Sequence, residues 1–284
     1  MIAITGANGN LGKATISFLF DKTAPSNIVA VVRDAAKVQD YAEAGIQVRV
    51  ADYNDPASLR RAFENVGKVL QISSAGFGET AIREENNVVQ AAKDSGVRHI
   101  VYTSTLKPGD NAHFFAGRTC NNTERAIKNS GMQYTIFRNS MYFETIPLFI
   151  GSAMNDGQIY YPAGIGKVSF VFRPDIAEAL ANVLVSDNNG NAVYNITGSD
   201  AYSFGDIAGL LRSEKGMDAA AYFDVPADAY RAELVKFGMP EGEIGFYMSM
   251  AHSIKAHEFS QTDDVLEQLL QRPRLTIREF IRAI

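Results

Sequence analysis

The sequence has few of the residues that disulfide bonds and metal centres require. Cys120 is the only cysteine among 284 residues, so no disulfide can form within the chain. The four histidines are scattered, and together with Cys120 they lack the spacing of a metal site. We therefore expect no metal ion, and a protein that functions in the reducing cytoplasm.

Long apolar runs and clusters of basic residues are also missing. No stretch is apolar over the length that a bilayer span needs, and no run of Lys and Arg marks a targeting tail or a membrane-binding segment. The net charge of −5 argues against nucleic acid as the main partner. The first apolar run begins at Ile2, so we expect no signal peptide ahead of the fold.

Short apolar runs alternate with helix patterns through the first half of the chain. Continuous apolar runs are typical of parallel strands that are buried on both faces. Repeated β-α-β units predict a Rossmann-type α/β fold with a doubly wound parallel sheet. The predicted strands span residues 2–5, 28–32, 47–50, 68–72, 99–103 and 134–138, with a further one at 193–196.

The alternation weakens after Arg138, and the remainder of the chain is mostly helical. No flexible linker separates the two parts, so we expect the second part to pack against the sheet. We predict a Rossmann domain over residues 1–139, to which residues 168–197 return. Residues 140–284 are predicted to form a smaller, mostly helical lobe that borders the substrate cleft.

A glycine-rich turn follows the first predicted strand and opens a helix. It reads Gly6-Ala7-Asn8-Gly9-Asn10-Leu11-Gly12, with the spacing G-x-x-G-x-x-G. Glycine allows a sharp turn and lets the backbone approach a pyrophosphate, while the helix start supplies unpaired N–H groups. The position of this turn, between a strand and a helix, predicts a dinucleotide site.

Arg33 ends the second predicted strand, about 20 residues beyond the glycines, where such folds read the ribose. An Arg at this place suits the 2′-phosphate of NADP, and Lys37 could add a second positive charge. Asp34 leaves an alternative open, because its carboxylate could accept the 2′-hydroxyl of NAD. A solvated Arg at a strand end is the other alternative.

Several motifs occur together along nearly the whole chain. They are V-V-R at residues 31–33, A-D-Y-N-D-P at 51–56, Y-T-S at 102–104, F-R-N-S-M-Y at 137–142, R-P-D-I-A at 173–177 and V-Y-N-I-T-G at 193–198. With the glycine-rich turn, this set resembles the NmrA-like atypical short-chain dehydrogenase/reductases. Within that family it is most similar to bacterial NADPH-dependent quinone oxidoreductases of type 2, with triphenylmethane reductases as near relatives.

The resemblance implies an extended Rossmann fold, NADPH as cofactor, and reduction of a small quinone or another flat conjugated acceptor between two lobes. It leaves a homodimer open. The cofactor contacts that it implies fall on Gly6, Ala7, Asn8, Gly9, Asn10, Leu11, Arg33, Ala75, Gly76, Phe77, Arg138, Asn139, Ser140, Met141, Tyr142 and Phe143. Asp52 and Tyr53 would lie near the adenine, or would form only the approach to a helix.

The chain departs from this family at Cys120, where related quinone reductases carry a His before Thr123-Glu124. This difference puts the role of the segment between the fifth and sixth strands in doubt. We expect Cys120 to be a partly buried thiol rather than a nucleophile.

The Tyr-x-x-x-Lys acid pair of standard short-chain dehydrogenases is missing between the fifth and sixth strands. Tyr102 and Lys107 have the wrong spacing, and Ser104 alone supplies no acid. Reduction of a quinone leaves a phenolate with a pKa of about 10, which needs no strong acid. The sequence therefore favours quinones or cationic dyes over simple ketones.

Asn139 and Tyr142 are the candidate catalytic residues, because they could orient the acceptor or the nicotinamide; Tyr142 could instead be a packing aromatic. Phe77 and Phe143 could stack on a flat acceptor or belong to the core. Lys167 and Arg173 are weaker candidates for phosphate or acceptor contacts. The alternative function is that of a non-catalytic NADP(H)-sensing regulator, which the missing acid pair fits equally well.

Overall fold

A seven-stranded parallel sheet organises the chain in the computed structural model, which describes residues 1–76, 78–151, 153–187 and 190–284. The strands are β1 (Ile2–Thr5), β2 (Ile28–Val32), β3 (Gln47–Val50), β4 (Lys68–Gln71), β5 (His99–Thr105), β6 (Gln133–Asn139), β7 (Gln158–Tyr160), β8 (Ala192–Ile196) and β9 (Ala221–Phe223). The order is β3-β2-β1-β4-β5-β6-β8, and β7 pairs with β9 apart from it. The predicted doubly wound Rossmann-type fold is confirmed.

Helices cover both faces of this sheet and form most of the C-terminal part. They are α1 (Asn10–Phe20), α2 (Gln39–Glu43), α3 (Pro56–Ala62), α4 (Gly78–Asp94), α5 (Phe115–Asn129), α6 (Ile146–Ile150), α7 (Ala153–Asp156), α8 (Arg173–Val185), α9 (Phe204–Lys215), α10 (Ala227–Lys236), α11 (Glu241–Lys255), α12 (Val265–Leu270) and α13 (Ile277–Ala283).

Three apolar clusters hold these layers together. On one face of the sheet, Ile16 of α1 packs with Leu180 of α8 and with Leu266 of α12. On the other face, α3, α4 and α5 bury their apolar stripes against β4 and β5. A third cluster, rich in aromatic side chains, is formed mostly by residues between Met141 and Ile281. Burial of apolar surface on both faces explains why the central strands are continuous apolar runs.

The strand order reverses beside β1, and this reversal determines where a ligand can enter. After β1 the chain builds outward through β2 and β3, whereas β4 returns to the other side of β1. The connections therefore diverge at the carboxyl ends of β1 and β4 and leave a crevice there.

The ends of several elements follow from local chemistry. The carboxylate of Asp55 accepts hydrogen bonds from the amides of Ala57 and Ser58 and caps α3, as its position before Pro56 predicts. Ser203 and Asp206 form a complete capping box at α9. Among the described residues, no helix has the length and apolar character of a membrane span, and no group of metal-binding side chains gathers.

Gly12→Ala should destabilise the protein, because a Cβ there would lie 2.4 Å from the carbonyl oxygen of Gly6. Overpacking of this kind costs about 1–3 kcal/mol, and we expect a loss of that size in the free energy of unfolding measured with urea. Gly209→Ala in α9 is the control, since the nearest atom to its Cβ is a guanidinium nitrogen of Arg212 at 3.7 Å. Equal effects of the two substitutions would contradict the close packing at Gly12.

Candidate functional site

A cleft of about 650 Å³ opens at the carboxyl ends of the first four strands of the sheet. Each wall is the segment that follows one strand: residues 6–9 after β1, Arg33 and Asp34 after β2, residues 51–54 after β3 and residues 72–76 after β4. The size and position of the cleft are those of a ligand site in an open α/β sheet.

The glycine turn forms the floor of this cleft. Gly6 has a φ of +62°, a conformation that favours glycine, and the amide of Gly9 donates to the carbonyl oxygen of Gly6 at 2.9 Å. Helix α1 begins directly after Gly9 with neither a side-chain cap nor an acidic residue in its first turn. The first amides of α1 and the positive end of its dipole therefore face the cleft without a capping anion from these residues. We call the glycine turn and this helix start the cradle, and the cradle fits a pyrophosphate.

Two cations lie at the wall after β2. Arg33 is exposed and lines the cleft with Lys37, and among the described residues no ion pair or hydrogen bond engages its guanidinium. The carboxylate of Asp34 accepts the amide of Ala36 at 3.0 Å and thereby starts the short 3-10 helix Ala35–Val38. Asp34 thus has a local structural role, while Arg33 is available to a ligand.

The segment 138–143 lies at the end of β6 and outside the lining of this cleft. The guanidinium of Arg138 binds both carboxylate oxygens of Glu124, at 2.9 and 2.6 Å. The hydroxyl of Ser140 accepts a hydrogen bond from Ser169 at 3.2 Å, and Met141 is buried. The cofactor contacts expected from these residues stay predictions.

Asn139 and Tyr142 are adjacent, as expected for residues that act together. Asn139 is 4% exposed and donates to the Tyr142 hydroxyl at 3.5 Å, while its Oδ1 has no partner in the part of the chain that the structure describes. The Arg173 guanidinium lies 5.0 Å from the centroid of the Tyr142 ring. Burial raises the pKa of Tyr142, so its phenol stays protonated and can donate a hydrogen bond.

The positions of several other candidate site residues limit which contacts they can make with a cofactor or an acceptor. Phe143 is 2% exposed and stacks on Phe280 at 5.3 Å, so it belongs to the core and its ring cannot stack on an acceptor. The ammonium of Lys167 lies 3.7 Å from the carboxylate of Asp206. Asn10 and Leu11 start α1 beside the cleft without lining it, and Phe77 lies outside the described residues.

Cys120 is buried inside α5, against β5. Burial, reinforced by the neighbouring Glu85, raises the pKa of its thiol to about 12. Because the thiolate is the nucleophilic form, a thiol with this pKa is unreactive at neutral pH. The interpretation of Cys120 as a buried thiol therefore fits, although the burial is more complete than expected.

The sequence interpretation missed two neighbouring carboxyl groups on α4. Glu84 lines the cleft, whereas Glu85 is 1% exposed and lies beneath it. Glu85 accepts hydrogen bonds from the hydroxyls of Tyr102 and Thr123, at 2.6 and 2.7 Å, and from the amide of Ser74 at 2.8 Å. A signal for Glu85 existed in the sequence, since it falls on the buried stripe of α4 with Ala81, Val88 and Ala92.

A second buried carboxylate, Glu124 on α5, has a different environment. Burial raises the pKa of Glu124, but hydrogen bonds from Arg138, Lys128 and Ser104 outweigh it and hold the pKa below the usual range. The Ser104 hydroxyl donates to Glu124 at 2.8 Å. The hydroxyl of Ser104 is therefore engaged by a carboxylate within the protein.

Comparisons with known proteins agree with this geometry. Residues 6–187 match the model of a family described as NAD(P)H-binding. The chain is 35% identical to quinone oxidoreductase 2 of Escherichia coli over 99% of its length and 97% of that protein. An Escherichia coli NADPH-dependent quinone oxidoreductase complexed with NADPH superposes with a TM-score of 0.93 at 32% identity, covering 100% of this chain and 99% of the other. Citrobacter triphenylmethane reductase complexed with NADP(H) gives a TM-score of 0.91 at 32% identity, with the same coverage.

Glu85→Gln should change how the stability of the protein depends on pH. Burial raises the pKa of Glu85 in the folded protein. Above about pH 4.3, Glu85 therefore loses its proton in the unfolded chain before it does so in the folded protein. The free energy of unfolding of the wild type falls with pH over this range, until the pH passes the folded pKa. Glutamine does not ionise, so the free energy of unfolding of the variant should rise relative to that of the wild type between pH 4 and pH 8. Urea titrations at intervals of about one pH unit measure this difference.

Glu79→Gln removes a carboxylate from the exposed first turn of the same helix and serves as the control. If instead the free energy of unfolding of Glu85→Gln falls relative to that of the wild type as the pH rises, the carboxylate of Glu85 is favoured by its surroundings and the prediction is wrong.

Proposed function

This chain belongs to the NAD(P)H-binding family, and we propose that it reduces small quinone-like acceptors by direct hydride transfer from NADPH. The resemblance to NmrA-like reductases is confirmed by its full-length similarity to a quinone oxidoreductase and a triphenylmethane reductase. The protein is an NAD(P)H-dependent oxidoreductase. We further propose that Arg33 sets the preference for NADPH and that Asn139 and Tyr142 act on the acceptor.

The observation that carries the proposal is the cradle at the start of α1. Its N-terminal amides have neither a capping side chain nor an acidic residue in the first turn, and the turn that precedes them lines the cleft. A pyrophosphate would supply the missing acceptors. Arg33 lies on the wall after β2 and forms no ion pair among the described residues. In that position it would bind the 2′-phosphate of NADPH.

The acceptor class rests on the missing Tyr-x-x-x-Lys pair between β5 and β6. NADPH, when bound, supplies a hydride, and the reduced acceptor then needs a proton. The face of α5 toward β5 carries Thr119, Cys120 and Thr123, and Ser104 donates to Glu124. None of these groups can act as the acid that a ketone requires, whereas a quinone leaves a weakly basic phenolate of pKa about 10 that water can protonate.

Tyr142 and Asn139 would orient the acceptor. The Tyr142 phenol stays protonated and accepts from Asn139, so its own proton is free to point at an acceptor oxygen. The unpartnered Oδ1 of Asn139 could accept from an amide group such as the carboxamide of nicotinamide. Their contribution would be alignment of the two flat rings rather than acid catalysis.

Arg33→Ala should weaken NADPH binding by about 1–3 kcal/mol, the range of a charge-assisted hydrogen bond, and leave NADH binding little changed. Isothermal titration calorimetry with both cofactors measures the difference. Arg61→Ala, an exposed arginine of α3 outside the cleft, is the matched control. If both cofactors lose the same affinity, Arg33 does not read the 2′-phosphate.

NADPH oxidation, followed by absorbance, should occur with para-quinones and not with simple ketones. Tyr142→Phe should slow quinone turnover about 2- to 10-fold, since it removes one orienting hydrogen bond. Tyr142→Ala should slow it further, because the ring also packs under Arg173. Equal rates with ketones and quinones would reveal an acid elsewhere, and NADPH binding without any turnover would favour the sensing function.

A further inference from the structure

We propose that Glu84 and Glu85 are positioning residues for the dinucleotide, and that they hold the β4 loop (residues 72–76) in the shape in which it walls the cleft. The proposal rests on the proposed use of NADPH. It assigns a role to two adjacent carboxyl groups whose hydrogen-bond partners, among the described residues, lie outside both the glycine turn and the segment after β6.

The β4 loop owes its shape to side chains of other elements. The amide of Ile72 donates to the hydroxyl of Thr5 at 3.1 Å, and the amide of Ser73 donates to the hydroxyl of Thr103 at 3.0 Å. The next amide, of Ser74, donates to Glu85 Oε1 at 2.8 Å. Three successive amides are thus satisfied by side chains, so a change in any of these side chains alters the loop directly.

Ser74 connects the two carboxyl groups. Its amide binds Glu85, while its hydroxyl donates to Glu84 Oε2 at 2.5 Å and accepts the amide of Gly76 at 3.1 Å. The other oxygen of Glu84 accepts from Asn54 Nδ2 at 2.9 Å. Because Asn54 lies on the wall after β3, Glu84 ties two neighbouring walls of the cleft to each other.

Glu85 anchors this arrangement to the rigid part of the molecule. Its second oxygen accepts from Tyr102 of β5 and from Thr123 of α5, so its carboxyl group is held from two elements. Hydrogen bonds of this kind are stronger in a buried site than in water. The position of Ser74 is therefore set by the sheet and by α5 rather than by the loop itself.

The effect on binding should not depend on the 2′-phosphate. The amides of Ile72, Ser73 and Ser74 are used within the protein, so phosphate binding falls to the start of α1 and to Arg33. The β4 loop would act as a shaped wall for the parts that NADPH and NADH share. Disturbing it should weaken both cofactors by the same factor, which distinguishes it from Arg33.

The test compares Glu84→Ala and Ser74→Ala with the wild type, using fluorescence titration of NADPH and NADH and steady-state kinetics with a quinone. Loss of a hydrogen bond to a charged group corresponds to roughly a tenfold change. We expect the Kd and KM of both dinucleotides to rise by about that factor, with kcat changed less than about twofold. Glu84→Gln keeps an acceptor for Ser74 and should restore most of the affinity.

Glu79→Ala, in the exposed first turn of α4, is the matched control and should leave all constants unchanged. Circular dichroism verifies that each variant is folded, and Glu84 and Ser74 are chosen because neither is fully buried. Wild-type affinities in both alanine variants would overturn the proposal, and so would a loss confined to NADPH. If the wild type bound neither dinucleotide, the proposed function would fail first.

Discussion

The close approach of α1 to the turn after β1 is the constraint on which the site depends. A side chain at position 12 would collide with the backbone of Gly6, so the helix can lie this near to the turn only because residue 12 is glycine. That contact places the uncapped start of α1 over the carboxyl end of the sheet. The same contact brings α1 against α8, whose apolar stripe completes the core on that face. The contact between α1 and the turn after β1 thus determines both the packing of α1 with α8 and the position of the phosphate cradle.

Side chains, more than backbone ladders, shape the cleft beyond the strand ends. Hydroxyls of Thr5 on β1 and Thr103 on β5 accept the first two amides of the β4 loop. The hydroxyl of Tyr53 donates to the carbonyl oxygen of Ile72 at 2.9 Å and so joins the wall after β3 to the same loop. Parallel strands that end together leave unpaired amides at their carboxyl edge, and this protein satisfies them with polar side chains from neighbouring segments. The walls are therefore coupled, which gives a preorganised cleft.

The sequence predicted the sheet well because its strands are apolar runs between helices with recognisable starts. It placed β1, β2 and β3 at their observed bounds, and the caps at Asp55 and Ser203 formed as expected. It ended β5 two residues early, since Ser104 and Thr105 are polar although both are buried and paired with β6. It also missed Glu84 and Glu85, because hydrogen bonds between distant segments leave no periodic pattern. Only the position of Glu85 on an apolar stripe indicated burial, and nothing local indicated that Ser74 would be its partner.

Glu85 and Glu124, two buried carboxyl groups beside β5 and α5, explain why an acid pair is difficult to place there. Glu124 is surrounded by Arg138, Lys128 and Ser104, so its charge is compensated and its hydrogen-bonding positions are used. Glu85 instead accepts from hydroxyl and amide donors, and no ion pair to it forms within the part of the chain that the structure describes. Burial, Cys120 and Glu85 raise the pKa of Tyr102, and its hydroxyl donates to Glu85, so this phenol is a weaker acid than a free tyrosine and its proton points at Glu85 rather than at a ligand of the cleft. The surroundings of β5 and α5 thus favour hydrogen-bond donors that keep their protons, and this supports an acceptor whose reduced form needs little acid.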